Sequence, residues 1–117
     1  MKTVMQEWAN FCGASGESYR FERVSTEADW ARIAGVIIFA APEGHFWRVI
    51  RVGEQGGVSG DINAFWRWRD ARRYGASAVF VRRDADFVTR RADAADLSAG
   101  LDPLVSASVE DSWPVAA

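Results

Sequence analysis

The sequence predicts a small α+β domain, and three observations lead to this fold class. Two runs, at 35–41 and 46–52, are apolar or alternate between apolar and polar residues, which is typical of neighbouring strands. A third short apolar run, at 77–82, lies between two segments with helical periodicity, near 62–74 and 86–99. Because the chain has 117 residues, these elements fit one domain with a mainly antiparallel sheet of about three strands flanked by helices.

The first two strands are predicted to form an antiparallel hairpin. The run GVIIFAA is almost entirely apolar, so we expect it in the interior of the sheet, whereas FWRVIRV alternates. The residues PEGH between the two runs supply the turn. On an alternating strand, Arg51 shares a face with Trp47 and Val49. Ile50 and Val52 then take the opposite face.

The two helices are predicted from apolar spacing and from the residues at their ends. The first follows a glycine-rich loop at 53–60, is capped by Asp61 and ends at Gly75. The second begins at a cap formed by Asp84 or Asp86 and runs through the segment DFVTRRADAADLSAGL. Both helices therefore have a defined start signal, and each follows a predicted strand along the chain.

Three shorter elements are predicted before the hairpin. Val4, Trp8 and Phe11 recur at helical spacing, which predicts an extra N-terminal helix within residues 3–13. The segment ESYRFERVS predicts a short edge strand or an extended arm, and STEADWARIAG predicts a short helix with acids in its first turn. The resulting organisation is an N-terminal helix and arm at 1–18, a folded domain at 19–106 and a C-terminal tail at 107–117.

The composition favours a soluble, cytoplasmic protein without a cofactor. The mean hydropathy is −0.15, and the longest apolar run, GVIIFAAP, is too short to cross a bilayer, so no membrane partner is expected. The opening MKTVMQEWAN carries acidic and polar residues where a secretory signal is apolar. Cys12 is the single cysteine and His45 the single histidine, so neither an intramolecular disulfide nor a cysteine or histidine metal cluster is expected.

The basic residues are concentrated in one part of the chain. The net charge is −2 and the pI is about 5.4, which gives no overall attraction to nucleic acid. Between residues 67 and 91, however, the sequence contains eight arginines and only three aspartates, which gives this segment a net charge of +5. The eight are Arg67, Arg69, Arg72, Arg73, Arg82, Arg83, Arg90 and Arg91. This asymmetry indicates an anionic partner, either nucleic acid or an acidic protein surface.

The first long helix concentrates this signal on one face. Ile62, Trp66, Arg69 and Arg73 share that face, and a second face carries Ala64, Phe65, Trp68 and Ala71 for the core. An arginine over Trp66 is either a self-contained cation–π surface or a contact face for phosphate or an acidic partner. The candidate binding residues are Arg51, Trp66, Arg69, Arg72, Arg73, Arg82 and Arg83. Pairs with Asp84, Asp86 and Asp93 are expected to hold some of the later arginines.

Four segments, in this order and spacing, resemble the GIY-YIG nuclease family over residues 19–106. They are GVIIF, RVG at 51–53, WRDARRYGASAVFV and ADLSAGLDPLVS. The resemblance implies a small GIY-YIG-like fold. It also implies a nuclease site with a tyrosine on each hairpin strand, an arginine on the first helix, a metal-binding glutamate on the last helix and a following asparagine. Here those positions hold Ile37, Arg51, Asp61, Ala94 and Ser106, so all five are altered.

The resemblance and its altered site predict a catalytically inactive domain that binds nucleic acid or protein. On the last helix, Phe87, Ala94, Leu97 and Leu101 are expected to face inward. Asp93 and Asp96 are each about 100° or more from Ala94, so neither points where the glutamate would. The alternative is a divergent metal-dependent endonuclease that uses these aspartates. We further expect Arg51 and Asp61 to pair across the former cleft.

Overall fold

The computed structural model describes residues 7–57 and 62–105, which form a five-stranded antiparallel sheet with a helix against each face. The elements in chain order are β1 (Trp8–Cys12), β2 (Ser18–Val24), a 3-10 helix (Trp30–Arg32), β3 (Gly35–Glu43), β4 (Phe46–Gln55), α1 (Ile62–Arg73), β5 (Ala78–Arg83) and α2 (Phe87–Leu101). The strand order is β1-β2-β5-β3-β4. The α+β class is confirmed, and the predicted count of about three strands is wrong.

The additional strands lie where the sequence predicted an N-terminal helix and an arm. Over residues 8–12 the helix prediction is wrong, because β1 pairs along its whole length with β2. This pairing places Phe11 in the core, with its ring 5.3 Å from that of Phe21 and 5.4 Å from that of Phe80. The predicted strand at β2 is present, but it lies between β1 and β5 instead of at an edge. The residues before position 7 lie outside the described chain.

The central prediction, from the hairpin to the second long helix, is confirmed. Strands β3 and β4 pair antiparallel around a turn in which Gly44 has φ +61°, a conformation that suits glycine. Strand β5 returns from α1 to the other side of β3. Asp86 caps α2 by accepting a hydrogen bond from the Thr89 amide at 3.0 Å, which settles the choice of cap. The short helix after β2 is reduced to one 3-10 turn.

A β-bulge in the hairpin changes which residues face each helix. Phe39 pairs with Arg51 and Ala40 pairs with Val49, so Ile50 is the extra residue on β4. Ile50 and Arg51 both face α1, whereas Val49 packs on the opposite side with α2. The predicted alternation, with Arg51 and Val49 on one face, is therefore wrong because the extra residue reverses the alternation.

The sheet separates two apolar clusters. The α2 side is formed by buried aromatic and aliphatic residues of all five strands, with Leu97 of α2 fully buried. The α1 side contains Trp30, Phe39 and Trp68. Gln55 donates hydrogen bonds to the carbonyls of Trp30 at 2.7 Å and Ile33 at 2.8 Å, which fixes the 3-10 turn to β4. Across the described residues, neither helix has the length and apolar character needed to span a membrane.

Candidate binding surface on helix α1

Helix α1 is held on the sheet by three buried side chains. Ala64, Trp68 and Ala71 are buried, as their spacing predicted. The Trp68 ring lies 5.1 Å from the ring of Phe39 and 6.1 Å from that of Trp30, measured between centroids. Phe65 was predicted to join this core face, but 56% of its surface is exposed. The outward face of α1 is therefore broader and more apolar than the sequence pattern indicated.

The outward face carries aromatic and basic side chains together. Trp66 is 53% exposed, and the Arg69 guanidinium lies 4.8 Å from the centroid of its ring. This contact confirms the predicted cation–π pair. Trp66 and Arg69 line a shallow groove with Asp70, Arg72 and Arg73. We call Trp66, Arg69, Arg72 and Arg73 the α1 surface; the side chain of Ile62, predicted on the same face, lies outside the described residues.

The structure divides the basic residues into two groups by their partners. Arg82 Nε lies 3.8 Å from Asp93 Oδ2, Arg83 Nε lies 3.7 Å from Glu22 Oε1, and Arg90 Nε lies 2.6 Å from Glu54 Oε1. Of the expected pairs, the one with Asp93 is present. By contrast, none of Arg69, Arg72 and Arg73 forms a salt bridge with any described residue. The charge of the α1 surface is thus available to another molecule.

The seven candidate binding residues do not form one surface. Arg82 faces the α2 side, where its guanidinium lies 5.4 Å from the centroid of the Tyr19 ring. Strand β5 runs about 17 Å from Ala78, near the end of α1, to Arg83. Arg82 and Arg83 are therefore remote from the carboxyl end of the α1 surface, and internal ion pairs already engage them.

Arg51 lies in the interior, beneath α1. Only 1% of its surface is exposed, and it borders a small pocket with Ile37, Phe39 and Arg67. A ligand on the outside of the domain does not reach its guanidinium while α1 is in place. Asp61, its predicted partner, lies outside the described residues, so the pair stays a prediction.

The positions that the family resemblance implies are not all on one side of the sheet. Ile37 and Arg51 face α1, but Ala94 belongs to the cluster on the opposite side. Ser106, like Asp61, lies outside the described residues. Among residues 7–57 and 62–105, no group of three or more His, Cys, Asp or Glu side chains is arranged to hold a metal ion.

The two aspartates considered as replacements for the metal-binding glutamate make structural contacts. Asp96 accepts hydrogen bonds from the Ser15 amide at 2.9 Å, the Ser15 hydroxyl at 2.6 Å and the Tyr19 hydroxyl at 2.8 Å. The bonds from Ser15 are the main reason that the pKa of Asp96 is lowered. Burial raises the pKa of Asp93, and Arg82 partly opposes this effect. Both side chains thus attach α2 to neighbouring elements.

The contact between Tyr19 and Asp96 makes the stability of the fold depend on pH in the alkaline range. Burial, and then the hydrogen bond to Asp96, raises the pKa of Tyr19 from 10.0 to about 12. A raised pKa means that the fold favours neutral tyrosine, so this stabilisation is complete below pH 10 and is lost between about pH 10 and 12. We expect the stability of the wild type relative to Tyr19→Phe to fall by about 2–3 kcal/mol over that interval, so that the phenylalanine variant becomes the more stable protein at its upper end.

Urea denaturation of both proteins at several alkaline pH values measures this difference. Effects of other groups that titrate in this range cancel, because the two proteins differ only in the phenol hydroxyl. A difference that stays constant from about pH 9 to 12 would contradict the raised pKa of Tyr19.

The inward face of α2 differs in part from its prediction. Ala94 and Leu97 are buried, but Phe87 is 53% exposed and Arg90 is buried in the same stripe. The Arg90 side chain donates to Glu54 and, at 2.9 Å, to the carbonyl of Ala85. Its position three residues after Phe87 and four before Ala94 was the available signal, because this spacing puts Arg90, and not exposed Arg91, on the inward face.

Sequence reasoning also missed Arg48 and Phe46 on β4. Both are exposed and both precede the bulge, so they face the same side of the sheet as α1. Their i, i+2 spacing was the available signal, since alternate strand residues share a face. The spacing alone did not show that this face is the one covered by α1, because that assignment depends on the bulge, which the sequence did not reveal.

Comparisons with known proteins add no relative from which a function can be transferred. No protein-family model matches the chain, and neither a curated protein nor a solved structure matches it. The features that bear on function are therefore the α+β fold and the exposed aromatic and basic side chains of α1.

Proposed function

We propose that this chain is a non-catalytic, GIY-YIG-like domain that binds nucleic acid through the α1 surface. The element order of hairpin, helix, strand and helix supports the proposed fold relationship, since it is the order that the sequence resemblance implies. The altered site residues and the structural contacts of Asp93 and Asp96 support the absence of family-type catalysis.

The observation that carries the proposal is the accumulation of unpaired positive charge on α1. Arg69 lies three residues from Arg72 and four residues from Arg73, and none of the three has a salt-bridge partner within the described chain. Like charges at this spacing destabilise a helix by about 0.2–0.5 kcal/mol per pair. An anionic ligand would remove this repulsion. Arg82, Arg83 and Arg90, by contrast, each already have a carboxylate partner among the described residues.

Exposed aromatic side chains favour nucleic acid as the anion. Phe65, Trp66 and Tyr74 are each more than half exposed on or next to α1. Aromatic rings beside arginines form the stacking and phosphate contacts of many nucleic-acid-binding surfaces. An acidic protein surface is the second candidate, because the net charge of −2 gives no overall attraction to nucleic acid and because protein interfaces prefer tryptophan and arginine.

Arg69→Gln is expected to weaken nucleic-acid binding, whereas Arg91→Gln serves as its matched control. Both arginines are exposed on helices and both stack on an aromatic ring, Arg69 on Trp66 at 4.8 Å and Arg91 on Phe87 at 5.3 Å. Since each phosphate contact contributes to counterion release, Arg69→Gln should reduce the slope of log affinity against log salt by about 0.7–0.9. Fluorescence anisotropy with labelled DNA at several salt concentrations measures the slope.

Equal effects of the two substitutions would contradict a specific role for the α1 surface. A pull-down from native lysate, with and without nuclease treatment, separates nucleic acid from an acidic protein as the partner. A metal-dependent nicking assay tests the divergent-endonuclease alternative. Nicking that disappears in Asp93→Ala or Asp96→Ala would replace the binding proposal with that alternative.

A further inference from the structure

The hairpin extends the exposed side of the sheet beyond the end of α1. Arg48 pairs with Ala41, and Phe46 pairs with Glu43 at the tip of the hairpin. Because alternate residues share a face and the bulge lies further along β4, Phe46 and Arg48 both face the α1 side. Phe46 is 78% exposed, the largest exposed fraction among the large apolar side chains that the structure describes.

The carboxyl end of α1 lies directly beside this part of the hairpin. The Ser77 amide donates to the carbonyl of Ala40 at 2.9 Å. A Cβ atom built on Gly75 would lie 3.8 Å from the Cβ atom of Ala41. Since Arg48 is the cross-strand partner of Ala41, it lies next to the end of α1 that carries Arg72 and Arg73.

Arg48 has the same electrostatic character as the α1 surface. It is exposed and forms no salt bridge within residues 7–57 and 62–105. Together, Arg48, Arg69, Arg72 and Arg73 place four such guanidiniums on one side of the domain. Two acids lie among them: Asp70 in the groove of α1, and Glu43 at the exposed tip of the hairpin.

We propose that the α1 surface continues onto Arg48 and Phe46 and that the extended surface binds single-stranded nucleic acid. This inference rests on the proposed function and names its partner class. The path is about 10 Å long from Trp66 to Arg73 and about 7 Å from Arg48 to Phe46. It carries rings with guanidiniums between them, in the order Trp66, Arg69, Arg73, Tyr74, Arg48 and Phe46.

The exposed rings favour a single strand over a duplex. Stacking on a protein ring requires a free base face, and in a duplex neighbouring base pairs already cover those faces. Trp66, Tyr74 and Phe46 are each more than half exposed, and Phe46 projects from the hairpin tip away from the core. An unpaired strand can place successive bases on these rings while its phosphates contact the arginines between them.

The experiment measures anisotropy of labelled oligothymidylate about 12 nucleotides long, with a duplex of the same length and polyglutamate as competitors. Arg48→Gln is compared with Arg91→Gln, and Phe46→Ala with Val88→Ala, an exposed apolar residue of α2. All four positions are exposed, so each variant is expected to fold, and thermal melting verifies this. Trp66→Ala and Arg69→Gln report on the α1 surface alone.

Removing a charged side chain and removing a stacking side chain are expected to weaken binding in different ways. Arg48→Gln should weaken binding and lower the salt slope by about 0.7, as for one phosphate contact. Phe46→Ala should weaken binding about fivefold or more and leave the salt slope unchanged, because its contact is not ionic. Glu43→Gln should tighten binding, since it removes a negative charge from the path. The duplex and polyglutamate should compete poorly.

The outcomes separate the two proposals. If Trp66→Ala and Arg69→Gln weaken binding while Arg48→Gln and Phe46→Ala match their controls, the hairpin extension is overturned and the proposed function stands. A duplex that competes as well as the single strand would overturn the single-strand assignment. If wild type binds neither form of nucleic acid, both proposals fail. If polyglutamate displaces the labelled single strand and the duplex does not, the result would favour the acidic-protein alternative.

Discussion

Trp68→Ala is expected to lower the free energy of unfolding by about 3–5 kcal/mol, the usual cost of truncating a large buried aromatic side chain. Trp68 is 8% exposed, and its ring packs against those of Phe39 and Trp30. These contacts connect α1, β3 and the 3-10 turn in one cluster. The truncation would therefore leave a cavity where three elements meet, and the remaining anchors of α1, Ala64 and Ala71, are too small to fill it.

Trp66→Ala is a matched control for this substitution, since it makes the same change two positions away on the same helix. Trp66 is 53% exposed, so we expect its loss to change the unfolding free energy by about 0.5 kcal/mol or less. It should instead weaken ligand binding, because its ring and its contact with Arg69 belong to the α1 surface.

Urea denaturation followed by tryptophan fluorescence and by circular dichroism measures both unfolding free energies. Because Trp68→Ala is expected to be less stable, its ligand binding is compared with that of Trp66→Ala at a temperature at which circular dichroism shows both variants to be folded. If Trp66→Ala destabilises the protein as much as Trp68→Ala does, the assignment of buried and exposed faces on α1 is wrong.

The sequence alone predicted those helices and strands whose signals lie within or directly next to the element. The hairpin, α1, β5 and α2 each combine a clear periodicity with turn or capping residues, and the structure confirms them. Strand β1 lacks such signals, since Trp8 and Phe11 at i and i+3 share a face in a helix, whereas in a strand this spacing puts them on opposite faces. Its strand conformation depends on pairing with β2, a partner that periodicity alone does not identify.

For the candidate surface, too, the sequence predicted only the features that depend on local spacing. The i, i+3 spacing of Trp66 and Arg69 places them on one helix face, and their cation–π contact follows from that spacing. The partners of Arg83 and Arg90 were not predictable, because Glu22 and Glu54 lie on other strands and approach through the fold. Which arginines retain unpaired charge is thus a property of the tertiary structure.

Arg51→Ala is the second substitution expected to have a large effect, lowering the unfolding free energy by about 3–5 kcal/mol. The side chain is 1% exposed and lies beneath α1 beside Ile37 and Phe39. A buried guanidinium is tolerated only where its charge is paired or hydrogen-bonded, so truncation removes packing and also leaves its partners without a donor. Arg51→Met tests the two contributions separately, because methionine retains much of the volume without the charge.

The sequence prediction that Asp61 is the partner of Arg51 gives this variant a direct test. Urea denaturation of Arg51→Ala, Asp61→Ala and the double variant forms a double-mutant cycle. If the residues pair, the double variant loses less than the sum of the single losses, with a coupling energy of about 1–3 kcal/mol. Additive losses would show that Arg51 is stabilised by other groups. A loss from Arg51→Ala below about 1 kcal/mol would contradict its burial under α1, because a water-exposed arginine is replaced at little cost.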